Sequence, residues 1–287
     1  MSVLYERMIQ DMQLRGFSPR TQEAYARAVR KLADHYAKSP DLITEEELRL
    51  YFLHRTNVSH WSRVACTIAL CGIKFFYEQT LRRDWATVGL AKPKRVKSLP
   101  TVLSQEEVRR TLACVHMFRH RVCLAAIYSC GLRLGEGRTL QVPDVDSHRM
   151  FLHIHGKGNK DRYVPLPPRT LQLLRELWKT HHHPEWLFPA PGRSGRGEAT
   201  AATPLPLASV QMAFKEALAK ARVHKRASVH TLRHSYATHL LEAGVDLRII
   251  QQILGHATPQ TTMVYTQLTE PALKPATAII HRLMADL

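Results

Sequence analysis

Six side chains of this sequence have types and spacings that suit chemistry at a phosphate: Arg133, Lys157, His230, Arg233, His256 and Tyr265. Four of them fall in one stretch, as His230-Thr-Leu-Arg233, then Leu-Gly-His256, then a tyrosine nine residues further on, Tyr265. A phosphodiester is anionic and poorly reactive, so attack on it needs charge neutralisation, in-line placement and a protonated leaving oxygen. Two guanidiniums, one ammonium, two imidazoles and a phenol supply these without a metal ion. Taken singly, each has a plainer reading: a tyrosine beside a helix packs, and a histidine after Gly255 ends a helix. Their joint spacing carries the information.

Arg133 stands in Cys130-Gly-Leu-Arg133-Leu-Gly-Glu136, just past a glycine turn and at the start of a helix. A helix N-terminus adds partial positive charge to the rigid arginine fork, which suits two phosphate oxygens; the alternative is a surface arginine paired with Glu136. Lys157 lies in Gly156-Lys-Gly-Asn159, between strand signals at 150–155 and 162–166, so it sits at or beside a hairpin turn. From there an ammonium can neutralise charge or hand a proton to a leaving oxygen. The segment is not a Walker phosphate loop, whose spacing it lacks. On the next helix, His230, Arg233 and His234 share one face, because residues three and four apart are neighbours. His230 and His234 also have metal-ligand spacing, but Thr231 stands where a zinc protease carries glutamate, and zinc is disfavoured. His181, His182 and His183 read as a helix end or loop.

The elements that must position these residues are mostly helical. Ser18-Pro19 signals a helix start, with Tyr25, Val29, Leu32 and Tyr36 on its buried face and Arg20, Arg27, Arg30, Lys31 and Lys38 elsewhere on its surface. Further helices are expected from 44 or 45 to about 55 and from about 59 to 79. The segment 91–100, AKPKRVKSLP, has two prolines and four basic residues without hydrophobic periodicity, and reads as an extended basic linker. Beyond it, Ser104-Gln-Glu-Glu107 forms a capping box, and helices are expected around 122–128 and over 170–178, 208–221, 230–243 and 247–254. Residues 189–206 read as a surface loop. Thr258-Pro259 starts a short helix, and 270–287 contains enough apolar residues for an amphipathic tail helix. The fold class is therefore mainly α with one small β-sheet, in two domains: a helical domain over 1–90 and an α+β domain over 101–287.

Composition points to the partner. Forty-one Lys and Arg against twenty-four Asp and Glu give a formal charge of +17, with a sequence pI near 10.0. Such an excess fits a polyanion, most simply nucleic acid. Five cysteines sit largely among apolar residues without metal-type pairs, and read as buried thiols in a reducing compartment. No apolar run suits a signal peptide or membrane span, so a cytoplasmic protein is expected.

The sequence resembles the tyrosine recombinase (phage integrase) family across essentially its whole length. The resemblance rests on GLRxxE at Arg133, GKGNKxR at Lys157, HTLRH at His230 and Arg233, LGH at His256, and Tyr265 nine residues later. It implies a helical SAM-like core-binding domain and a catalytic domain clamping double-stranded DNA. Carried onto these positions, Tyr265 is the nucleophile, Arg133 and Arg233 hold the phosphate, Lys157 is the general acid for the 5′-oxygen, His230 assists proton transfer and His256 hydrogen-bonds the phosphate. No cofactor is implied. In the family the tail docks on a neighbouring protomer, which implies a homo-tetramer on two DNA sites. A type IB topoisomerase-like enzyme with the same residues, or a catalytically silent DNA-binding factor, is the competing reading. Gly137 departs from the family's more usual apolar residue and is expected to loosen the helix after Arg133. The extra insertion of integron integrases is absent.

Overall fold

A computed structural model describes residues 3–83, 100–156, 161–192 and 198–255. The chain divides into two compact units, Met1–Lys97 and Ser98–Leu287. The expected linker falls almost wholly outside the described residues, as do the expected helix at 258 and the tail.

The first unit is built from α1 (Val3–Leu14), α2 (Pro19–Tyr36), α3 (Glu45–Asn57) and α4 (Arg63–Phe75), the last continuing into a π turn, Phe76–Thr80. α2 starts where the sequence predicts, with the Ser18 hydroxyl accepting from the Thr21 amide at 3.4 Å and Pro19 in the first turn. α3 opens on a reciprocal capping box between Thr44 and Glu47. α4 begins at Arg63, later than the 59 expected from apolar content, because the Ser62 hydroxyl caps it by accepting from the Ala65 amide. Met8, Met12, Leu32, Leu48, Tyr51, Ile73 and Phe76 fill the core. Several cations of α2 and the residues just after it have partners within the unit: Arg27 pairs with Glu23, Lys38 with Glu47, and Arg30 and Lys31 lie over the Tyr5 and Trp61 rings.

The second unit surrounds α6 (Phe118–Ser129), whose residues from Val122 to Ser129 are all buried. A helix apolar on every side belongs at the centre of a domain. Around it pack α5 (Gln105–Ala113), α8 (Pro168–His181), α9 (Leu207–Lys220) and α10 (Val229–Glu242). The expected Ser104–Glu107 capping box opens α5. The short α7 (Leu134–Arg138) follows α6, and α11 (Leu247–Leu254) follows α10.

Three antiparallel strands, β1 (Val145–Asp146), β2 (Phe151–Ile154) and β3 (Arg162–Pro165), form a sheet in the order β1-β2-β3. Leu152 and Val164 pair in register and are buried with Ile154, which fixes the inner face. β1 is two residues long, too short to show an alternation in sequence. The described ends of the 189–206 stretch are tied down, because Pro189 bridges Pro204 and buried Leu205 donates to the Phe188 carbonyl at 2.7 Å. In the histidine run, His182 ends α8 in a left-handed conformation, and the His183 ring accepts from the Glu185 and Trp186 amides while bonding the Ala201 carbonyl. These bonds occupy both ring nitrogens of His183, which acts as a structural pin.

All five cysteines are free, and burial pushes the Cys123 and Cys130 thiols up to about 12. No described helix is long and apolar enough to cross a membrane.

Candidate active site

Where α6 ends, Gly131 takes φ +61 and turns the chain back beneath Tyr236. A Cβ at Gly131 would lie 2.6 Å from the Tyr236 ring, so this turn needs glycine on both conformational and steric grounds. Gly131→Ala is expected to cost about 3 kcal/mol, from left-handed strain plus overpacking. A urea unfolding midpoint equal to wild type would refute that reading.

The turn delivers Arg133 to the cap position of α7, with extended backbone. Glu136, one turn on, accepts from the Arg133 amide at 2.8 Å and from its Nη1 at 2.7 Å. Glu136 does more than pair with Arg133. Arg162 of β3 grips the same carboxylate with both prongs, at 3.0 and 2.7 Å, and Nη1 of Arg233 on α10 lies 3.8 Å from it. One buried carboxylate thus organises three guanidiniums from three elements. Burial alone would raise the Glu136 pKa, but hydrogen bonds from Arg162 and Arg133 outweigh it and hold the group down at about 2.

The same arginines close the end of α11. The last carbonyls of a helix lack intrahelical partners. Here Arg162 Nε donates to the Ile253 carbonyl at 2.9 Å, Arg233 Nη2 to that of Leu254 at 2.6 Å and Arg133 Nη2 to that of Gly255 at 3.4 Å. Cations at a helix C-terminus also complement its dipole. Arg233 further donates to the Gly131 carbonyl at 2.7 Å, tying α10 to the α6 turn. The two arginines predicted to hold phosphate consequently differ: the Arg233 side chain is 4% exposed and fixed, whereas that of Arg133 is 41% exposed and open to an anion.

His230 lies in the first turn of α10, one turn before Arg233. Its imidazole pKa is lowered, first by loss of solvation and then by the charges of Arg233 and Arg133. His234 is lowered by burial and by His230, and the two rings are 6.4 Å apart. Among the described residues no third ligand joins them.

Of the six predicted residues, the structure brings together Arg133, His230 and Arg233. Lys157, His256 and Tyr265 lie outside the described residues. Sequence reasoning gave no role to Arg162 and left Glu136 as a surface partner. The signal was present in Arg162, an arginine in phase with inward-facing Val164 on a short strand; an inward cation calls for a buried anion. Gly137, expected to loosen α7, has a packing reason: a Cβ there would lie 2.5 Å from Ile127 Cγ1, so glycine lets α7 sit directly on α6.

Residues 101–271 match the phage integrase family, and residues 4–87 match the phage integrase N-terminal SAM-like domain. A putative integrase/recombinase, y4qK of Sinorhizobium fredii, is 40% identical over 93% of this chain and 85% of its own length. The tyrosine recombinase XerD of Staphylococcus epidermidis is 30% identical over 98% of this chain and 99% of its own. The solved structure of a lambda integrase tetramer bound to a Holliday junction is similar in fold, with a TM-score of 0.72 and 14% identity over 93% of this chain and 76% of that one. Family matches over both units and similarity along nearly the whole length of both relatives place the chain in the phage integrase family of tyrosine recombinases.

Proposed function

We propose that this protein is a site-specific DNA recombinase in which Arg133, Lys157, His230, Arg233, His256 and Tyr265 act on one phosphodiester. The observation that carries this reading is the pair of guanidiniums, Arg133 and Arg233, organised on Glu136 beside His230. In this scheme Arg133 and Arg233 hold the scissile phosphate and neutralise its charge. The Tyr265 oxygen attacks phosphorus as the bond to the 5′-oxygen breaks, and Lys157 protonates that leaving oxygen. The lowered pKa of His230 leaves it neutral near pH 7, able to take the phenolic proton, while His256 donates a hydrogen bond to the phosphate. The product is a 3′-phosphotyrosyl ester and a free 5′-hydroxyl. The ester retains the energy of the cut bond, so a 5′-hydroxyl from a second strand reseals it without ATP or a metal.

Residues 1–90 would serve as the core-binding domain, 91–100 as a basic tether and 101–287 as the catalytic domain. The family-model matches on either side of the tether support that division. Charge of +17 supports a double-stranded DNA partner, and the tetrameric lambda relative supports a cyclic homo-tetramer on two sites, with 270–287 docking on a neighbour. Free buried thiols fit a cytoplasmic setting.

The test is incubation with a nicked duplex site without metal, followed by denaturing electrophoresis. A covalent protein–DNA adduct and strand exchange between two duplexes are expected. An adduct without exchange would favour topoisomerase-like chemistry, and no adduct would refute the enzyme. Affinity for DNA should fall by roughly 10³-fold or more between about 50 and 200 mM salt, as counterion release requires. Anisotropy titrations showing little change would count against a phosphate-clamping surface.

A further inference from the structure

We propose that Asp144, His153 and His155 bind a divalent transition-metal ion, with Zn2+ the best match, at the mouth of the β2–β3 hairpin. One ligand atom from each already lies within 4.8 Å of the other two. His153 and His155 are two residues apart, so strand geometry points both to the face opposite buried Leu152 and Ile154. The His153 ring is held by stacking on Tyr163, its register partner on β3, with centroids 4.9 Å apart. Asp144 is 5% exposed and anchored, its Oδ2 accepting from the Gln141 amide at 2.9 Å while Oδ1 lies 3.0 Å from Nε2 of His155. A buried carboxylate facing two imidazoles is a donor set with a defined preference. Imidazole nitrogens select zinc and its neighbours over Mg2+ or Ca2+.

Tetrahedral coordination at about 2.0–2.2 Å needs ligand atoms ~3.3 Å apart; Asp144 Oδ1 and His155 Nε2, 3.0 Å apart, already stand at about that separation, so the remaining closure falls to His153. The His153 side chain, 30% exposed on the open face of the sheet, has room to make that movement. Asp161, at the start of the return strand, supplies the outer layer. Its Oδ2 lies 3.3 Å from His155 Nδ1, so with Nε2 on the metal the other ring nitrogen donates to a carboxylate, the arrangement that orients metal-binding imidazoles. The Asp161–His153 contact at 3.2 Å is exchanged for the metal, and water completes the fourth position.

The ligands tie the turn before β1 to β2, and Asp161 links them to β3. Chain leaves this cluster at Gly156, passes through Lys157 and returns at Asp161. The ion takes no part in phosphoryl transfer; it fixes the base of the segment that bears Lys157. That consequence rests on the role proposed for Lys157, whereas metal binding does not, and binding is what the experiment reads.

The full chain is stripped with chelator and titrated with Zn2+ by calorimetry, and with Co2+ by visible absorbance. One tight equivalent is expected, with an intense Co2+ band of low coordination number and a rise in Tm of about 5 °C at a hundredfold excess over Kd. His153→Ala/His155→Ala should remove that equivalent and the Co2+ band, while His155→Gln alone should weaken binding at least about tenfold. His234→Gln, outside the cluster, should retain both. His155 also partners the buried Asp144 carboxylate, so unfolding midpoints in chelator should fall modestly, and near-ultraviolet circular dichroism matching wild type shows that the variants fold. No equivalent tighter than about 100 μM in wild type, or binding undiminished in the double variant, would overturn the proposal.

Discussion

Tyr265→Phe is expected to form no covalent adduct on nicked DNA, while its affinity for the intact site should stay within about threefold of wild type. The substitution removes one oxygen, the atom that would bond to phosphorus. Loss of a covalent nucleophile lowers rate by about 10⁴-fold or more, because the remaining groups stabilise a transition state that cannot form. Ground-state binding rests instead on many phosphate contacts spread over a highly basic chain, so one phenolic oxygen contributes little to it. The two measurements must therefore separate: adduct absent by denaturing electrophoresis, affinity kept by anisotropy. Adduct persisting in Tyr265→Phe would assign the nucleophile to another residue. A parallel collapse in affinity would mean that the tyrosine holds the fold or the DNA, and has no assigned role in bond making.

Glu136→Gln tests the organisation of the arginines. The variant keeps the shape of the side chain but removes the charge that Arg162 grips with both prongs and that Arg133 and Arg233 face. Two independent routes give similar magnitudes. Breaking a buried pair by removing one partner costs about 3–5 kcal/mol. The pKa of Glu136, held at about 2 against an ordinary 4.5, corresponds to about 3 kcal/mol by linkage. With the side chain only 10% exposed, solvent screening discounts this little.

The sign follows from the direction of the shift. A depressed carboxyl pKa stabilises the fold fully above the unfolded value near 4.5, and that contribution is lost as pH falls toward 2. Urea unfolding should show Glu136→Gln weaker by about 3 kcal/mol at pH 7, with the gap to wild type narrowing through pH 4 and below. Adduct formation should fall with it, since Arg133 loses the partner that sets its orientation. Equal midpoints at pH 7 would show that the three arginines hold their places without this carboxylate.

Much of the fold was legible because its local signals are chemical. Ser18, Thr44 and Ser104 cap helices by accepting from amides three residues away, and α11 spans the predicted 247–254. The signals that failed were those where a distant neighbour decided. The start of α4 is the exception, since Ser62 caps Arg63–Phe75 through the nearby Ala65 amide, a local signal that the expected start near 59 passed over. β1 exists because β2 offers it an edge, and two residues carry no periodicity of their own. Gly137 looked like a weakness in α7 until Ile127 of α6 occupied the space a side chain would need.

For the site, sequence by itself determined which residue types are available and their order: Arg133, Lys157, His230, Arg233, His256, Tyr265, with a basic chain around them. It also placed Arg133, His230 and Arg233 at helix starts or on a helix face, since capping and 3.6-residue periodicity are local. Only the tertiary structure decided that Glu136 is the shared anchor and Arg162 its strongest partner, and that Arg233 is enclosed while Arg133 stays open. Those distinctions depend on which groups lose water together when α6, α7, β3, α10 and α11 meet. Desolvation belongs to the packed ensemble of elements, and no single segment of sequence encodes it.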